Sequence, residues 1–132
     1  VLFMGMKEAE AVKLFANTPL EDITLSKSLL HEGMKNIWNG AFRECNNLAS
    51  IDLPSTTRTI DEFVFYKCTN LHSIYCRSTL PPKAKNCQTE PWNALKDNAT
   101  DRMIYVPRDY ASKYTTAYGW RSYANYIVEY DF

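Results

Sequence analysis

The chain has 132 residues, enough for one domain with a modest core. Its 15 Lys and Arg balance 15 Asp and Glu, so the basic excess of a nucleic-acid footprint is missing. No apolar run approaches the roughly 20 residues of a membrane span. The first six residues, Val1 to Met6, lack the basic flank and the length of a signal peptide. A start without Met reads as a processed chain or a piece of a larger one. The first predicted element is a helix over Lys7–Ala16, rich in Glu, Ala, Lys and Leu and free of Gly and Pro. Ala11, Leu14 and Phe15 share one of its faces, which suits a cover for an apolar edge. Leu20-Glu-Asp-Ile23-Thr-Leu25 then reads as a strand, and a five-residue insertion around Leu29 to Lys35 follows it. His31 falls in that insertion and is expected as an exposed loop residue.

From Ile37 to Cys76 one pattern is written twice. Ile37, Phe42, Cys45, Asn47, Leu48, Ser50 and Ile51 recur as Ile60, Phe65, Cys68, Asn70, Leu71, Ser73 and Ile74, each 23 positions on. Such a period lies in the range of leucine-rich repeats. Within each copy the segment ending Ile51-Asp-Leu53 or Ile74-Tyr-Cys76 reads as a strand with Ile and its second neighbour pointing inward. Asn47 and Asn70 sit where a bend is needed, and Phe42 and Phe65 fill the interior. One coil cannot bury its own apolar face, so coils stack, with parallel strands about 4.8 Å apart. Cys45 and Cys68 are predicted to be buried packing thiols.

The pattern I-x-x-x-x-F-x-x-C-x-N-L-x-S-I-x-L-P, carried by Phe42, Cys45, Leu48, Ile51, Leu53 and Pro54 and then by Phe65, Cys68, Leu71 and Ile74, resembles the BspA-like leucine-rich repeat of bacterial surface proteins. Trp38 and Asp61 stand where that family usually has Gly, Val64 replaces Ala, and Cys76 replaces Leu. The resemblance extends from about Asn17 to Val128. It implies an α/β repeat fold: a short right-handed leucine-rich-repeat solenoid with a parallel sheet, an N-terminal helix and a C-terminal cap. The expected domain is single, over 1–132. Residues 1–16 give the N-terminal helix or cap, 17–79 the repeats, and 80–132 an insert, the last strand and the C-terminal cap.

After Ile74 the register breaks. Thr79 to Lys85, with Pro81-Pro82, is a turn or extended segment, and Glu90 to Asp97 a short helical turn. Met103-Ile104-Tyr-Val106-Pro107 matches the earlier strands and is predicted as the fourth, beyond a long insert. Arg108 to Thr116 reads as a helix broken at Tyr118-Gly119-Trp120, and Ile127 to Tyr130 as a closing strand. The order Pro-Pro, Ile-Tyr-Val-Pro, Gly-Trp is similar to the terminal cap that follows such repeats. Tyr123, Tyr126 and Phe132 suit that cap, with a binding patch as the lesser reading. A Cys76–Cys87 disulfide is open to an exported chain, with only the cysteine number to support it.

Nothing in the sequence assembles a catalytic set, and no enzyme activity or cofactor is expected. His72 and Cys76 lie roughly 13 Å apart along one strand, whereas a nucleophile and its base need about 3 Å. There is no Gly-rich phosphate loop and no C-x-x-C pair for a metal. The family resemblance implies an extracellular or cell-surface recognition module, adhesin-like, for a protein or glycan ligand, host-derived ones included. The alternative is a structural spacer or capping domain of a larger surface protein. The middle residue of each strand points away from the core, so the expected ligand-binding column is Thr24, Asp52, Tyr75 and Tyr105. If the insert after Cys76 folds over the two tyrosines, they only stabilise the fold.

Overall fold

A computed structural model describes residues 22–24 and 35–132, with backbone alone for Asp22–Thr24. The predicted Lys7–Ala16 helix, Leu25 and the loop with His31 lie outside the described residues. The strands are β1 (Asp22–Thr24), β2 (Asn36–Ile37), β3 (Ser50–Leu53), β4 (Thr59–Ile60), β5 (Ser73–Cys76), β6 (Lys83–Ala84), β7 (Met103–Pro107) and β8 (Ile127–Tyr130), with a helix α1 (Ala111–Thr116) between the last two. They form two sheets, one ordered β1-β3-β5-β7-β8 and a small one ordered β2-β4-β6, and every pairing is parallel.

The register in the larger sheet follows the sequence pattern. Ile23 pairs with Ile51, Ile51 with Ile74, Ile74 with Ile104 and Ile104 with Ile127. The side chains of Ile51, Ile74 and Ile104 are fully buried, as are Leu53, Cys76 and Val106 beside them. Strands β3 and β5 alternate half-buried and buried positions, the period expected of a sheet with one covered face.

Between the sheets the coils stack through matched interior positions. Phe42 and Phe65 are buried and lie ring on ring at 5.6 Å. The Cys68 thiol donates to the Phe42 carbonyl at 2.9 Å. Its hydrogen bond with Cys45, followed by burial, pushes that thiol well above its ordinary pKa. Asn47 and Asn70 are exposed in the bends, which close through Leu48 N–H to Cys45 and Leu71 N–H to Cys68.

The long insert expected after Cys76 is itself a coil. Lys83–Ala84 pairs with Thr59–Ile60, and Phe65 N–H and Lys67 N–H donate to the carbonyls of Ala94 and Lys96. Ile74 to Ile104 is 30 positions against 23 for Ile51 to Ile74. One of the seven extra residues falls before Ala84 and six between Ala84 and Ala94, where Asn93–Leu95 makes a 3-10 turn. Beyond it the columns resume at offset 30. Leu95 takes the place of Phe65, and Asn98 that of Cys68, its Nδ2 donating to the Phe65 carbonyl at 2.8 Å. The same column logic holds for the backbone: Glu44, Lys67 and Asp97 all have φ near +60°. Three unlike side chains accept this left-handed conformation because the turn of the coil demands it.

The final segment keeps the strand spacing, Ile104 to Ile127 again being 23 positions, but changes its filling. Helix α1 is shorter than the predicted Arg108–Thr116, because Asp109 sits at φ +72° and cannot be helical. Gly119, at φ +86°, turns the chain, and a Cβ there would stand 2.7 Å from Ala84 Cβ. Buried Trp92, Tyr114 and Trp120 meet edge to face at 5.2 Å. Their core is tied to the backbone by Trp120 Nε1 donating to Pro82 O, Tyr114 OH to Ser78 O and Tyr123 OH to Trp92 O. Among the described residues no helix is long and apolar enough to cross a membrane.

Candidate functional site

Because Ile and its second neighbour face the core, the residue between them faces out. Register brings Thr24, Asp52, Tyr75 and Tyr105 into one row across β1, β3, β5 and β7. Nothing is described of the Thr24 side chain. Tyr75 and Tyr105 stack at 4.8 Å with their planes 14° apart. Among the described residues no ring of the insert contacts them, and its strand β6 belongs to the other sheet. Their ring neighbours come from the end of β8 instead. Tyr130 stands edge-on to Tyr75 at 5.4 Å and to Tyr105 at 5.5 Å, and Phe132 lies 4.9 Å from Tyr130. Tyr75 and Tyr105 are half-buried, while Tyr130 and Phe132 remain 41% and 43% exposed. Each such ring pair contributes on the order of 1 kcal/mol beyond area burial.

Two ion pairs frame the patch. Arg77 makes a two-pronged contact with Asp52, at 2.8 and 3.0 Å, and its guanidinium lies 4.9 Å from the Phe132 ring centre. The hydrogen bonds to Asp52 hold Arg77 above its ordinary pKa. Arg108 grips Asp131 the same way, at 2.6 and 2.9 Å, which fixes the backbone between Tyr130 and Phe132. That carboxylate is held below the usual range, chiefly by the Arg108 hydrogen bond. Asp52 is thus engaged within the protein rather than free. Sequence reasoning placed Asp52, Tyr75 and Tyr105 in this row and read Phe132 first as a cap residue, with a binding patch as the lesser reading; it did not single out the Arg77 and Tyr130 side chains. The pairing of Pro107 with Tyr130 carries the two C-terminal rings onto this face; the signals for it in the sequence are the closing strand at Ile127 to Tyr130, 23 residues beyond the Ile104 strand, and the aromatic residues at its end.

The candidates for chemistry do not converge. His72 Nδ1 lies 2.7 Å from Asp101, an exposed pair on the coil surface, and the His72 hydrogen bond keeps that carboxyl below its usual range. Cys45, Cys68 and Cys76 are buried, Cys87 is half-buried, and none is in a disulfide, the Cys76–Cys87 pair included. Among the described residues no three His, Cys, Asp or Glu side chains group as metal ligands.

Parallel strands added one per coil, with an aromatic cluster on the outward face, define an α/β repeat protein. The family model for the BspA type Leucine rich repeat region (6 copies) matches residues 11–90, more than half of the 132, and the chain belongs to this family. The match covers the two regular coils, runs into the third and stops before its Asn93–Leu95 turn, β7 and the closing segment. Its members are repeat-based interaction modules, typically found in surface proteins, and generally non-catalytic. Among curated proteins, none matches the chain.

Proposed function

We propose that the chain is a non-catalytic recognition module of a surface protein, adhesin-like, which binds its ligand through the outward face of the larger sheet. In this reading residues 1–132 form one leucine-rich-repeat domain, a short right-handed solenoid closed at its C-terminal end. The ligand is foremost a protein, host proteins included, with a glycan as the second class to test. One observation carries the proposal. Tyr75, Tyr105, Tyr130 and Phe132 form a continuous ring cluster that is held in place by its neighbours yet left partly open to solvent. Rings ordered in advance lose little freedom on binding, and tyrosine adds a polar tip to a large contact area. Arg77, braced by Asp52 and lying against Phe132, offers a charged rim.

A screen of the purified domain against matrix proteins and glycans tests this, with Tyr75→Ala as the control. Ligands that bind both proteins equally would refute the sheet-face site. The spacer reading draws on the same rings, since each already packs on another and could serve stability alone. It predicts that Tyr75→Ala lowers the melting temperature and that the screen returns no ligand.

A further inference from the structure

We propose that the groove beside Arg102 is a second binding site, for a sugar that carries a carboxylate. Arg102 is only 7% exposed, and among the described residues it has no ion-pair partner within 4 Å. Its guanidinium lies over the Tyr123 ring at 4.7 Å and the Tyr126 ring at 5.1 Å, and its one hydrogen bond, to Leu95 O, is long at 3.4 Å. Stacking on tyrosines offsets part of the cost of a buried cation, but it leaves N–H donors unused. Arg102 Nε has no acceptor at all, and Asn98 Oδ1, also buried, has no donor. Asn98 occupies the column of Cys45 and Cys68. Its amide nitrogen does the work that the Cys68 thiol does one coil earlier, so the carbonyl oxygen is surplus to the coil's own needs.

Both side chains line an open groove of about 420 Å³ between the Asn93–Leu95 turn and the 3-10 segment Trp120–Tyr126, within the range of small-molecule sites. Lys96 adds a second positive charge and Asp97 a negative one, while Thr100 supplies a hydroxyl, Ser122 a hydroxyl that donates to Glu90 and keeps its oxygen as an acceptor, and Tyr126, 38% exposed, a partly open ring beside Arg102. A cation short of an anion, hydroxyl partners and a flat aromatic wall together fit an acidic sugar. The carboxylate meets the guanidinium, the ring hydroxyls meet Thr100 and Ser122, and the C–H face lies on Tyr126. None of the residues of the aromatic sheet face lines this groove, so the inference is independent of the function proposed above.

The test uses the whole chain and ligand-observed NMR titration at constant ionic strength with four probes: glucuronate, N-acetylneuraminate, glucose and acetate. The expected result is saturable binding of at least one acidic sugar, at least tenfold weaker binding of glucose and of acetate, and a loss of tenfold or more in Arg102→Gln. Tyr126→Ala, which removes a ring that is already partly exposed, should weaken the same sugar severalfold while Tyr75→Ala leaves it unchanged. Failure of both acidic sugars to saturate overturns the proposal. So does glucose or acetate binding equally well. If Arg102→Gln fails to fold, the wild-type ranking of the four probes together with Tyr126→Ala decides alone.

Discussion

The two coils from Ile37 to Cys76 and the closing segment from Met103 to Tyr130 solve one problem in two ways. In the first, the two copies supply each other with matching side chains, so a phenylalanine stacks on a phenylalanine and a thiol meets a thiol. In the second, no further coil of that kind follows among the described residues, and Trp120, Tyr114 and Tyr123 cover the core while their polar atoms reach back to carbonyls of the preceding coil. The difference teaches that strand spacing and interior filling are separable. The 23-residue step survives into the closing segment although hardly any interior residue type does.

The largest effect expected from this contrast comes from removing the closing segment. Truncation after Pro82 leaves β5 without β7 and exposes the edge of the core, and the remaining chain should lose its cooperative thermal transition by circular dichroism. A truncated protein that melts like the parent would refute the capping role. Single residues come next. Phe65→Ala and Trp120→Ala should each cost about 3–5 kcal/mol in urea unfolding. Trp120→Ala should lie at the upper end, because it also strips the Pro82 carbonyl of its donor. Equal costs would mean that the closing segment is held by packing alone.

On the outward face, Tyr75→Ala or Tyr105→Ala should lower stability by about 1–3 kcal/mol, since each ring packs on two or three others, and should weaken any ligand found in the screen by about 1–2 kcal/mol. A loss of stability with affinity unchanged would move the rings from recognition to support. In the interior, thiol labelling without denaturant should modify Cys87 first, with Cys45, Cys68 and Cys76 following only as the protein opens. Burial raises the Cys87 pKa above its ordinary 9.0, so its labelling rate should still be climbing through alkaline pH. The smallest effect belongs to the Arg108–Asp131 pair. Asp131 is depressed in the folded state, so its contribution is present above the unfolded Asp pKa of about 3.9 and is lost as pH falls through the lower folded value. NMR titration of the Asp131 carboxyl should show this, and Arg108→Ala should return it to the ordinary range.

How much of this was legible depended on whether a residue repeats. The buried row Ile51, Ile74 and Ile104, the inward Cys45 and Cys68 and the side-by-side tyrosines could all be read, because a fixed step and a period of two leave no freedom. The third coil was hidden. Seven added residues shifted its phase, and Leu95 and Asn98 had replaced the phenylalanine and cysteine that mark its neighbours. The two-residue strands β2, β4 and β6 are too short to show any period. Thr24 and the predicted first helix fall outside what the structure describes. Arg77 and Tyr130 reach the face through pairing and ring contacts across the sheet, and the Arg102 groove exists only where two distant turns meet; the aromatic residues Tyr123, Tyr126 and Phe132 were the one local trace, and they did not tell face from groove.

The six residues gathered between Ala84 and Ala94 have a practical meaning. They enlarge one corner of the coil while Ile74 and Ile104 stay in register and the left-handed turn at Asp97 matches those at Glu44 and Lys67. Length is therefore absorbed locally and is not passed on to the sheet. A corner with that property is a natural graft point: foreign peptide placed between Gln88 and Thr89 would be displayed on a rigid frame whose strands do not register its presence.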